Sequence, residues 1–334
     1  MRVSFNAELI TPLLAAGADS KNRDPQNEGL RPASIRGDLR YWFRAMMGPY
    51  CDLAQLKTLE SRVFGSTDGK SPILIRSRFP STPKTGKYPV RMNDPNPPPG
   101  KNFNPQWPAI DSGQSCSVSF SFPDSAIKEG SVCLNSLLLI SMLSGIGGRT
   151  RRGFGSVQFN QKATDEGKVI ENLPVFNIPT AKDLDDIKPC YEDGIKKVKS
   201  NFYAFSSSTA VKGTDKFATL ENGKVRIWLV KPLRGFWTKW DDAMNGLRTS
   251  IYKPYKGNRS LQAFGSAKPR LTSPLSFQIK RAGKDQYFGV ILAFLYDYYP
   301  NEIASVTNYF GTNGNTLASF ISDSSLNSRE VIIP

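Results

Sequence analysis

Val3, Phe5, Ala7 and Leu9 are apolar and the residues between them mostly polar, the period of a half-buried strand at the start of the chain. The period then changes. Across residues 35–47 apolar side chains recur every three or four positions, with Ile35, Leu39, Trp42 and Met46 on one stripe and Phe43 widening it, which predicts an amphipathic helix. Ser34 stands where a helix N-cap is expected, and Gly48-Pro49 stands where the helix must stop. Residues 53–64 add a further helical turn or two. Alternation returns at residues 72–79 and 116–122, a leucine-rich buried helix is expected over 132–144, and 156–159 reads as a closing strand. The order is β, α, β, β, α, β.

The C-terminal half gives a second such series. It comprises a strand at 224–230, a helix at 238–252, strands at 273–280 and 286–295 joined by a short turn with Gly283, a helix at 315–321 and a terminal strand at 330–333. The expected fold class is α+β, with two tandem ferredoxin-like (RRM-like, βαββαβ) domains. They cover residues 1–162 and 224–334, separated by a polar, proline-punctuated connecting segment over 163–223. Two further stretches resist regular structure: residues 11–32 are a turn-rich connection, and 80–108 hold nine prolines, which predicts an excursion loop.

Beside the apolar stripe of 35–47 run Arg36, Arg40 and Arg44, one turn apart. The only carboxylate within that helix, Asp38, is two residues from both Arg36 and Arg40, where it faces neither. The row therefore lacks an intrahelical partner and is expected to meet an anion, with the Ser34 turn beside it as a helix N-terminus suited to phosphate. The plain alternative is a solvated cationic face.

Charge favours the first reading. A net charge of +15 and a pI near 9.6 point to an acidic partner such as nucleic acid. Residues 69–93 contain no acid but carry Lys70, Arg76, Arg78, Lys84, Lys87 and Arg91, enough for a basic edge. The chain has no histidine, which excludes His-dependent nucleases and triads and removes the commonest transition-metal ligand. Cys51, Cys116, Cys133 and Cys190 are too far apart for a zinc knuckle or a dithiol motif and read as reduced, structural thiols. We expect no catalytic residue, no metal and no other cofactor. No run of 18 uncharged apolar residues occurs, so the expected setting is cytoplasmic, without a membrane partner.

Residues 145–155, GIGGRTRRGFG, form a glycine-rich loop between the second helix and the closing strand. Gly147 and Gly148 permit close backbone approach, while Arg149, Arg151 and Arg152 supply charge, so the loop can follow a phosphate backbone. The alternative is a tight basic turn. Neither the Walker spacing nor GxGxxG is present, so nucleotide hydrolysis finds no footing. Residues 152–159, RGFGSVQF, match the RNA-recognition-motif consensus except at Ser156, where a stacking aromatic is normal, and they lie on the last strand rather than the third.

Taken together, LRPASIRGDLRYWFRA and, about a hundred residues later, GIGGRTRRGFGSV resemble the RAMP superfamily of CRISPR-associated proteins. The TPLLAAGAD and RPASIRG segments, with Arg270-Leu271 and Ser273-Pro274-Leu275, resemble within it a subunit of the Cmr complex, the type III-B RNA-guided effector. The resemblance implies two tandem ferredoxin-like domains and a non-catalytic role in binding guide RNA and target RNA near the 3′ side of the guide, in contact with other Cmr-complex subunits. By position, it implies that Ser34, Arg36, Arg40, Arg44, Gly147, Gly148, Arg149, Arg151 and Arg152 bind RNA. Two other readings remain. One is a RAMP-type ribonuclease using Asp19 or Asp24 with a metal, although lone loop carboxylates are usually turn formers; the other is a stand-alone single-stranded RNA binder.

Overall fold

Strand β1 (Arg2–Leu9) buries Val3, Phe5, Ala7 and Leu9 on one face, as its period requires. The computed structural model describes residues 1–15, 23–89, 105–164, 178, 180–206, 218–252, 266–267, 270–271, 273–295 and 315–333. Within it β1 is an inner strand of a four-stranded antiparallel sheet whose order is β2 (Leu74–Arg78), β5 (Ser115–Ser121), β1, β6 (Val157–Thr164). Helices α2 (Pro32–Met47) and α4 (Ile127–Leu143) pack on the buried face, with α3 (Leu53–Phe64) against both and the single turn α1 (Pro25–Glu28) ahead of them.

The proline-rich stretch is more regular than expected. Strands β3 (Thr85–Pro89) and β4 (Gln106–Ile110) pair as a two-stranded ribbon around residues 90–104, which lie outside the described residues. A ribbon tolerates Pro89 and Pro108 because a missing N–H can face away from the partner strand. Reciprocal bonds between Leu13 and Ile110, at 2.9 and 3.0 Å, tie the ribbon to the chain leaving β1.

The second sheet has the order β10 (Leu275–Ala282), β11 (Gln286–Phe294), β7 (Val225–Pro232), β12 (Leu326–Val331), again antiparallel throughout. Numbered by appearance within the sheet, each runs second, third, first, fourth. Strands β8 (Ser266–Ala267) and β9 (Arg270–Leu271) form a minimal ribbon beside it. Helix α6 (Trp240–Leu247), its π-helical continuation to Tyr252 and helix α7 (Asn315–Ser322) cover one face, burying Val230, Phe277, Ile279 and Leu317. The terminal strand begins at Leu326, four residues before the expected start, since the polar run at 327–330 hides it from an alternation test.

Helix α5 (Leu184–Ser206) lies inside the stretch expected to connect two domains. Its Leu184, Ile187, Tyr191, Ile195, Val198 and Phe202 recur at helical spacing and are buried, so the segment is a packed wall. Tyr191 donates to the Met142 carbonyl at 3.1 Å, and α5 also packs on β7 and β12. One continuous core consequently runs from Val3 on β1 to Val331 on β12.

Polar bonds reinforce this join. Arg281 donates to both carboxylate oxygens of Glu8 at 2.7 Å. Lys280, 3% exposed, donates from Nζ to the carbonyls of Ile140, at 3.2 Å, and Ser144 at the end of α4, and burial lowers its pKa to about 7. The span 124–143 is long and apolar enough to cross a membrane, but 78% of its apolar 18-residue window is buried inside the fold, so its apolarity serves the core.

Candidate nucleic-acid interface

Helix α2 starts at Pro32, earlier than the sequence pattern indicated, because proline at the first helical position has its φ preset and needs no hydrogen-bond partner. Arg31, with φ −71° and ψ 138°, occupies the cap position and makes no side-chain capping bond. Ser34 is therefore a first-turn residue and not the cap. This turn lines a cleft of about 260 Å³ with Arg31, Ser34, Gly37 and Asp38 on one side and Gly147 and Gly148 on the other. Leu13, Leu14 and Leu30 form its apolar floor.

The glycine-rich loop is held from both ends. Its mouth closes through Ile146 N–H to the Gly155 carbonyl and Gly155 N–H to the Pro12 carbonyl, each 2.9 Å. Thr11 donates its hydroxyl to Gly153 O at 2.7 Å and accepts from Ser156 N–H at 2.9 Å. Gly148 N–H donates to Leu14 O at 2.9 Å. Gly147 has φ +93°, and a Cβ there would lie 2.8 Å from Leu13 Cδ1, so only glycine fits. Burial pushes the Asp38 carboxyl up to about 7, opposed by a hydrogen bond from the Gly147 backbone.

Ser34, Gly147 and Gly148 thus come together as the sequence suggested, but the arginine row turns away from them. Arg36 donates to the carbonyls of Phe64 at 3.1 Å and Ile73 at 2.9 Å. Arg40 donates to the carbonyls of Phe64 and Gly65 and lies 3.5 Å from the Glu60 carboxylate. Arg44 forms a two-point pair with Glu60, one bond at 2.6 Å, which raises its pKa. These cations are engaged from outside their own helix, by Glu60 and by carbonyls at and after the C-terminal end of α3, while Arg36 and Arg40 also border a hollow beside the turn that follows α3.

The loop arginines divide similarly. Arg149, exposed at φ +60°, stands 5.2 Å above the Trp107 ring centre, and Arg23 lies over the same ring at 3.3 Å. Arg151 instead donates to Ser273 O and lies 5.7 Å from the Tyr41 ring, while its own carbonyl accepts from Phe277 N–H at 3.1 Å. Arg152 is half-buried 4.8 Å from the Tyr252 ring, and desolvation lowers its pKa. These two side chains fasten the loop to the second sheet.

Sequence reasoning missed Trp107 and Arg23. The available signal was a tryptophan within a segment otherwise built of turn formers. Phe154 and Phe159 are 5% and 7% exposed, and Ser156 donates to Gln278 at 2.8 Å, so the RNA-recognition-like segment presents no stacking face. Asp24 caps α1, accepting from Asn27 N at 3.2 Å and Asn27 Nδ2 at 2.6 Å, and the Asn27 side chain heads the causes that lower its pKa. Asp19 lies outside the described residues. Burial raises the Cys116 and Cys133 thiols to about 12 and Cys51 to about 11, consistent with inert packing groups. Among the described residues no three Cys, Asp or Glu side chains are grouped to hold a metal ion.

Residues 6–158 match the family model of the RAMP superfamily. That stretch, somewhat under half of the chain, is similar to RAMP-superfamily proteins. The matched span takes in the second half of β1, α2, the cleft and the glycine-rich loop. Cmr1-2, a Cmr subunit of the CRISPR system of Pyrococcus furiosus, is 38% identical over 86 residues, covering 25% of this chain and 43% of that relative. The match therefore spans less than half of that relative's length. Cmr1-1 of the same organism is 26% identical over 299 residues, 81% of this chain and 82% of the relative. Among solved structures, the apo form of Cmr1 from Pyrococcus furiosus superposes with a TM-score of 0.66 at 20% identity over 99% of both chains. A chain of the type III-B Cmr-beta complex bound to cognate target RNA gives 0.55 at 13% identity, over 95% of this chain and 99% of that one. The likeness in fold therefore extends beyond the matched span through the second sheet.

Proposed function

We propose that this chain is a non-catalytic RNA-binding subunit of a type III-B Cmr effector complex, holding guide or target RNA near the guide 3′ end beside other Cmr subunits. The observation that carries this reading is the cleft itself, where a helix N-terminus without a side-chain cap, the Gly147-Gly148 backbone and the Arg31 side chain converge. Helix N-termini attract phosphate through unpaired N–H groups and the helix dipole, and glycine lets a strand approach them closely. The repeated sheet order supports two tandem ferredoxin-like units, residues 1–162 and 224–334, with α5 as the wall they share. Arg23 and Arg149, both over the Trp107 ring, add two cations beside the loop that can meet the RNA backbone.

The non-catalytic part of the proposal rests on the chain's lack of histidine and on the engagement of Asp24 by Asn27. Fluorescence anisotropy with labelled oligouridylate over a salt series tests binding. Arg31→Ala with Arg149→Ala should weaken binding and flatten the slope of log K against log salt by about 0.7 for each phosphate no longer neutralised. An unchanged slope, or RNA cleavage with magnesium or manganese that Asp24→Ala abolishes, would refute this reading.

A further inference from the structure

Gly37 occupies the interior of α2, a position at which glycine is among the least favourable residues. Packing does not require it, since a Cβ there would meet nothing within 4 Å, and the residue is exposed. It stands between two hollows. One is the cleft against the glycine-rich loop. The other, about 640 Å³, lies on the opposite flank of α2, bounded by Arg36, Arg40 and the turn at residues 65–71 that joins α3 to β2.

That turn is built to be electropositive. Arg36 and Arg40 grip it by the carbonyls of Phe64, Gly65 and Ile73, which orient the two cations without neutralising them. The Glu60 carboxylate is shared between Arg40 and Arg44. Lys70 is exposed and makes no ion pair among the described residues, and Ser66 and Thr67 add hydroxyls to the lining. Asp68, within the turn, offsets one of these charges, and Thr67 donates to it at 3.4 Å.

We propose that the 65–71 turn is a second phosphate-binding site and that one RNA strand passes from the cleft to this site over α2, crossing at Gly37. The absent side chain supplies the clearance, Lys70 supplies the direct contact and Arg36 and Arg40 supply the field behind it. This proposal rests on the reading of the cleft as an RNA site.

The test compares the full chain with Gly37→Leu, Lys70→Ala and Gly148→Val, using a trinucleotide and a longer oligouridylate. Lys70→Ala should bind the longer RNA about tenfold more weakly, the size of one charge-assisted hydrogen bond, and leave the trinucleotide unaffected. Gly37→Leu should lose affinity for the longer RNA while its Tm equals or exceeds that of the parent, because leucine is the better helix former. Parental affinity in both variants, with Gly148→Val impaired, would overturn the second site and leave the cleft standing. A loss in Lys70→Ala without one in Gly37→Leu would overturn the crossing. Failure of the parent chain to bind either RNA would overturn the cleft reading and this inference together.

Discussion

Asp38 sets a negative charge against a site otherwise arranged for anions. Its carboxyl, raised to about 7 by burial, lines the same cleft as Arg31 and the Gly147-Gly148 backbone. A phosphate arriving there favours the protonated form, so binding should take up a proton and affinity should rise as pH falls through about 7. Asp38→Asn should bind more tightly at pH 8 and show a flatter pH profile. The same shift has a sign in folding. A carboxyl whose folded pKa lies above its ordinary value of 3.8 destabilises the fold increasingly as pH rises from that value through about 7, so Asp38→Asn should raise the Tm more at pH 8 than at pH 5. Equal effects at both pH values would mean that the carboxyl is not desolvated.

At the scale of elements, the α2–α3 contact explains what sequence could and could not convey. The core stripe of α2, Ile35, Leu39, Trp42, Phe43 and Met46, was legible because helical periodicity is a property of one segment. The use of Arg36, Arg40 and Arg44 was not, since their partners belong to another helix and its C-terminal turn, and no spacing rule links them. Glu60→Gln should therefore destabilise the protein, by about 1 kcal/mol once screening is allowed for at Arg44, which is 48% exposed, and should leave RNA affinity nearly unchanged. A large rise in affinity would mean that Glu60 had been masking Arg44 from RNA. Helix α5 went unread for a different reason: Pro189 and many charged residues made its stretch look like a linker, although its buried positions keep helical spacing. In the cleft, the glycines and Ser34 could be read from sequence, whereas Trp107 and Arg23 became neighbours only through the β3–β4 ribbon.

For the whole molecule, the decisive fact is that the largest core cluster is shared by both sheets through α5. Chemical unfolding should give one transition by all probes, and residues 1–162 produced alone should expose the α4 surface that α5 covers and aggregate. Lys280 reports on this join. Its amine is held near 7 by burial against an ordinary value of 10.5, so the unfolded chain binds more protons between those values and stability contributed by this group rises with pH across that window. Lys280→Met should remove that slope, measured as the difference in urea midpoint between pH 7 and pH 9. Identical slopes in both proteins would place the amine in water.

The attachment of the glycine-rich loop to both halves has a kinetic consequence. With Gly148 fixed to Leu14, Gly155 to Pro12 and Arg151 to β10, the loop reaches its final form when the protein folds. An incoming strand then finds a surface already shaped and need not wait for a rearrangement. Association should be as fast as diffusion and charge steering permit, slowing steeply with salt, while substitutions that leave the charge unaltered change chiefly how long the strand stays.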